Sequence, residues 1–96
     1  VQLLRLFVDS HRDDGGLCRA HLQAADRAAA ERVVHALKGA AGAVALDPLF
    51  AQANGLLLGV RGDVATESLL AQVEPLEQML AACCRAIADL PAGQDQ

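Results

Sequence analysis

Along the last third of the chain, Leu69, Val73, Leu76, Leu80, Cys83, Ile87 and Leu90 recur at alternating steps of four and three residues. That spacing gives an α-helix one apolar side, and such a helix persists only by burying the seam against other helices. Pro75 falls inside the seam. Its ring removes a donor and clashes with the carbonyl of Ala71, so a kink is expected there. The rest of the chain supports the same fold class: 20 alanines and 16 leucines stand against only ten Val, Ile and Thr together, with no Tyr or Trp. Small and straight-chain residues lose little rotamer freedom in a helix. Ninety-six residues suffice for one core and not for two.

Breakers divide the remainder into four more helical segments. Val1, Leu4, Phe7 and Val8 lie at helical spacing and predict a short first helix that ends near Asp9–Asp14. A second carries Leu17, Cys18, Leu22 and Ala25 on one face, its start weakened by Gly15 and Gly16. Asp26 is a suitable N-cap for a third, from Arg27 to about Val44. Asp47-Pro48 follows the N-cap plus N1-proline pattern and opens a fourth, with Leu49, Phe50, Ala53, Leu56, Leu57 and Val60 on its apolar side. Gly62-Asp63 marks the next turn. Connections of about two to five residues favour antiparallel neighbours. The expectation is an all-α, antiparallel up-down four-helix bundle with a short extra N-terminal helix. It forms one domain over residues 1–90, and residues 91–96 read as a flexible tail or linker remnant.

Several function classes are disfavoured. A formal charge of −4 does not suit nucleic acid or an anionic membrane, both of which need clustered positive charge. Two phenylalanines make no base-stacking platform. The longest apolar-plus-glycine run, Gly39 to Leu46, is far short of the roughly 18 residues of a membrane span. No signal-peptide pattern opens the chain, and a start at Val1 reads as a piece of a longer protein. Cys18, Cys83 and Cys84 have no disulfide-framework spacing and read as reduced core thiols of a cytoplasmic protein. There is no nucleotide loop of the form GxxxxGKS and no carboxylate cluster for Mg²⁺. His11 lies in a polar turn. His21 lies beside Cys18 without further ligands at zinc spacing, and no metal site is expected.

One helix carries a chemical site. With His35 at zero on a helical wheel, Val33, Leu37, Ala40 and Val44 fall near the opposite pole, flanked by Ala30 and Ala41. Ala28, Glu31, Arg32, Lys38, Gly39 and Gly42 share the face of His35, which therefore points into water. Lys38, the sole lysine, is three residues on and thus a neighbour of the imidazole. An exposed imidazole with an ordinary pKa of about 6.5 is mostly neutral at pH 7 and offers a nucleophilic nitrogen. The ammonium would attract an anion arriving there. Gly39 and Gly42 each cost about 1 kcal/mol relative to alanine in a helix interior. On this face they leave a bare strip for another protein's reactive group.

The run His35-Ala36-Leu37-Lys38-Gly39-Ala40-Ala41-Gly42-Ala43-Val44 resembles the motif of histidine-containing phosphotransfer (HPt) domains, of the form H-x-[LI]-K-G-[AS]-[AS]-G-x-[IVL]. The resemblance extends upstream to Ala25-Asp26 and downstream to Leu49 and Ala53. It implies a four-helix bundle in two-component signalling, of the hybrid sensor kinase type. His35 would accept a phosphoryl group from a receiver aspartate and pass it to another receiver. Lys38 would be its charge partner and Gly39 the clearance residue. Receivers would dock over Gly42, Ala28, Glu31, Arg32, Ala36, Ala43 and Leu57. The domain would be a covalent carrier with no cofactor of its own, Mg²⁺ being supplied by the receiver, and a likeness to kinase modules leaves open a kinase core in cis. A monomer is the default for a closed bundle. The domain is expected in the cytoplasm, whether or not a parent protein is anchored in the inner membrane. Two departures stand out: Ala45 where many members have glycine, and Leu57 where many have a Glu or Gln able to hydrogen-bond the imidazole. Two other readings remain, the phosphoacceptor domain of a chemotaxis-type kinase and a non-catalytic interaction bundle.

Overall fold

A computed structural model of the chain describes residues 2–91. Val1 and residues 92–96, part of the predicted first helix and of the predicted tail, lie outside the described residues. Five helices follow in order: α1 (Gln2–His11), α2 (Asp14–Gln23), α3 (Arg27–Ala43), α4 (Asp47–Arg61) and α5 (Thr66–Ala88). There is no strand among the described residues. Contacts join α2 to α3, α3 to α4, α4 to α5 and α5 back to α2, so four helices enclose the core and α1 extends one end along α5. Arg27 at the start of α3 reaches the end of α4, whereas Gly42 near the end of α3 meets Phe50 near the start of α4. These two helices therefore run antiparallel.

One hydrophobic cluster draws on all five helices, from Phe7 and Val8 in α1 to Leu80, Cys84 and Ile87 in α5. No helix among the described residues is long and apolar enough to cross a membrane.

Several local expectations need correction. On α5 the buried line is Leu69, Val73, Leu76, Leu80, Cys84 and Ile87, with Cys83 only partly buried. Pro75 lies inside α5, as expected, and on its exposed side. On α2, Leu17 is exposed and the core receives Cys18 and Leu22, together with Gly15 packed on Glu77. Ala25 lies outside α2, exposed and with a positive φ of 60°. On α4, Phe50 is partly exposed rather than buried. That helix begins one residue earlier than the Asp-Pro pattern indicates: Leu46 is the N-cap, and Asp47 and Pro48 both sit in the first turn. Proline fits there because the first turn has no internal partner for the missing N–H.

Candidate phosphoacceptor site

Local rules fix α3 at both ends. The Asp26 side chain accepts a hydrogen bond from the Ala29 amide at 3.0 Å, satisfying one of the four orphan donors at the helix start. At the other end the Leu46 amide donates to the Ala41 carbonyl and the Ala45 amide to that of Gly42, a Schellman closure with Ala45 left-handed at φ 60°. The end of α2 closes in the same way: Asp26 donates to His21, Ala25 to Leu22, and Ala25 also has φ 60°. Between these stops Ala29, Ala30, Val34, Leu37 and Ala41 are buried. The buried side is thus rotated from the wheel's pole towards Val34, while Val33, Ala40 and Val44 pack at its margin. The reason is that α3 packs against both α2 and α4 and so buries two flanks.

His35 stands exposed in the middle of this helix. Among the described residues it has no hydrogen-bond, ion-pair or ring partner. Lys38, one turn on, is partly buried, and its Nζ lies 5.6 Å from the centroid of the Phe50 ring. Cation–π contacts of this exposed kind are worth about 0.5–1 kcal/mol. Ala28, Arg32, Ala36, Gly39, Gly42 and Ala43 are all exposed around the histidine. Glu31 is partly buried and accepts from Arg61 Nε at 3.2 Å, linking α3 to the end of α4.

The two glycines of this face have different neighbours. A Cβ on Gly39 would meet nothing within 4 Å. One on Gly42 would lie 3.2 and 3.4 Å from Cδ2 and Cε2 of Phe50, so residue 42 is bare because an aromatic ring from α4 rests there.

Leu57 does not belong to the exposed face. It is 0% exposed, part of the core cluster, and offers no surface to a partner. The exposed leucine of α4 is its neighbour Leu58, at 61%. From α4, Phe50 reaches Lys38 and Arg61 reaches Glu31, both on the His35 side of α3. Asn54, one turn beyond Phe50, is partly buried. Sequence patterning could have suggested this, since Leu56, Leu57 and Leu58 cannot all face one core.

A second histidine arrangement was missed. His11 Nδ1 lies 2.7 Å from Asp14 Oδ2, and the ring packs at 5.3 Å on Phe7. Asp14 is the buried charged residue of the α1–α2 junction. Burial raises its pKa, opposed by the hydrogen bond and charge of His11. The i, i+3 spacing of His11 and Asp14 was the available signal. An open cleft of about 590 Å³ lies between α1 and the end of α5, lined by Arg5, Arg12 and Arg85 over Val8, Cys84 and Ile87. No residue of α3 lines it. Among the described residues no three His, Cys, Asp or Glu side chains group as metal ligands.

An unhindered imidazole with a cation within one helical turn is suited to act as a covalent acceptor. The family model described as Hpt domain matches residues 2–92. Comparisons with curated proteins and with solved structures gave no match. The family match takes in every helix of the bundle and the whole His35 face: the chain belongs to the Hpt domain family, phosphotransfer carriers of two-component signalling that interact with response-regulator receivers.

Proposed function

We propose that His35 is the phosphorylated residue, in an up-down bundle that relays phosphoryl groups between receiver domains. The observation that carries this reading is an exposed, unpartnered imidazole mid-helix, with Lys38 one turn away and open space over Gly39. A lone pair of a neutral imidazole nitrogen attacks the phosphorus of the receiver's aspartyl phosphate. The N–P bond forms as the P–O bond to the carboxylate breaks, and the aspartate leaves as its carboxylate. The ring's other nitrogen keeps its proton, so the phosphorylated ring is cationic until that proton is lost. Transfer onward runs the same step in reverse on a second aspartate.

The receiver brings the Mg²⁺ and the acidic pocket. The domain brings the nucleophile and Lys38, whose charge meets the phosphoryl oxygens. Ala28, Arg32, Ala36, Gly39, Gly42 and Ala43 surround the imidazole with small or flexible side chains that admit the receiver's loops. The module works as a cytoplasmic monomer attached to, or serving, a hybrid sensor kinase.

Mixing the chain with phosphorylated receivers tests this reading. The expected result is acid-labile, base-stable label on the domain that is lost in His35→Gln. Label that survives His35→Gln, or no transfer from any receiver in a broad panel, overturns it. Label acquired only from a kinase core with ATP would assign the domain to the chemotaxis type.

A further inference from the structure

We propose that Phe50 is a positioning residue for Lys38. Its ring, seated against the bare backbone at Gly42, holds the ammonium while His35 is unmodified and releases it once His35 carries a phosphoryl group. The inference rests on the phosphoacceptor reading of His35.

The chain has two phenylalanines, and they are used differently. Phe7 is buried in the core, whereas Phe50 is 36% exposed at the edge of the α3–α4 interface. A large aromatic ring left partly in water gains less from burial than one in the core, so its position needs another account. Two contacts supply it. The ring edge lies so close to Gly42 that a Cβ there would stand 3.2 Å from Cδ2, and the ring would have to give by a few tenths of an ångström. The Lys38 Nζ lies 5.6 Å from the ring centroid, within cation–π range. Among the described residues this ring is the partner Lys38 has, and no carboxylate pairs with it.

The geometry also sets a direction. Gly42, which seats the ring, is seven residues beyond His35, and Lys38 lies between them on the same face. The ring therefore draws the ammonium towards the end of α3, and the imidazole lies one turn the other way. The flexible four-carbon stem reaches both. Attraction to an aromatic quadrupole is weaker and shorter-ranged than attraction to a phosphoryl group bearing nearly two negative charges. A phosphoryl group on His35 therefore takes the ammonium from the ring. Before that, the ring narrows the rotamers of an otherwise unpaired lysine and leaves the imidazole without a cation pressed against it.

Proton and carbon NMR of the full chain tests the proposal. In the unmodified protein the ε-methylene protons of Lys38 should show an upfield ring-current shift. Phe50→Leu should abolish it, Phe50→Tyr should retain it, and Gly42→Ala should reduce it by lifting the ring. Treatment with phosphoramidate, a small phosphoryl donor that needs no receiver, should move the wild-type signal to its position in Phe50→Leu, and should have no such effect in His35→Gln. An unshifted Lys38 signal in the wild type, or one indifferent to Phe50→Leu, overturns the role of the ring. A signal that stays shifted on the phosphorylated protein overturns the handover. If neither phosphoramidate nor any phosphorylated receiver labels His35 while the ring shift persists, the phosphoacceptor reading fails and the handover with it, but the hold of Phe50 on Lys38 stands.

Discussion

Gly39 differs from Gly15 and Gly42 in having open space where a side chain would stand, which suits the clearance proposed for it. An alanine there meets nothing inside the domain. Gly39→Ala should therefore raise stability by about 1 kcal/mol, the usual helix-interior difference, while slowing transfer from a phosphorylated receiver. Gly15→Ala should do the opposite. Its Cβ would stand 2.6 Å from Glu77 Cγ and 3.3 Å from Glu77 Cα, and overpacking of that kind costs about 1–3 kcal/mol. Chemical denaturation of both variants, with transfer rates measured in parallel, checks the pair. The outward direction of His35 was legible because a single helix with a clear apolar stripe fixes where its other face points. So was the burial of Leu57: the pattern put it with Leu56 on the apolar side of α4 and left Leu58 out, and only the family resemblance drew it into the docking face. Leu57 points inward and Leu58 outward.

Helix boundaries depend on different physics from helix faces. Asp26 was readable as an N-cap because its short carboxylate suits the orphan amides, and it does accept from Ala29. The C-terminal stops of α2 and α3 were harder to read. Each uses alanine at a left-handed position where glycine is the usual choice, so the residue type gives no warning. A Cβ at such a position costs roughly 1–2 kcal/mol, partly offset by the lower entropy of an unfolded chain with alanine. Ala25→Gly and Ala45→Gly should each stabilise the domain by about 1 kcal/mol, seen as a rise in Tm of roughly 4–8 °C. A fall in Tm would show that these turns are not strained. The end of α4 is finished from a distance. The Arg27 guanidinium donates to the carbonyls of Gly59, Val60, Gly62 and Val64 at 2.9–3.2 Å, tying the last turn of α4 and the connection that follows it to the start of α3. No local pattern around residue 61 announces a cap supplied by another helix.

For the molecule as a whole, one core shared by five helices implies that stability is lost in a single step. Cys18, fully buried in that core, provides an internal reporter. Burial, with smaller contributions from Asp14 and Glu77 and an opposing one from Arg19, raises its thiol pKa from 9.0 to about 11. The folded state thus binds the thiol proton more tightly than the unfolded state. The stability this confers is fully present below pH 9 and is lost as pH rises through about 11. Urea midpoints should fall over that window, less steeply in Cys18→Ala. Cys18 should resist alkylation at pH 8.5 until the helices melt, and partly exposed Cys83 should react first. The outward imidazole has a further consequence. The core closes on the opposite side of α3, so a phosphoryl group carried on His35, as proposed, would add its charge beyond the packed interior and ask nothing of it. Apart from the proposed handover of one lysine, the bundle would have no reason to rearrange. Such a domain bears its load as a baton is carried between runners: the shape that arrives is the shape that leaves, and the message lies wholly in who holds the phosphate.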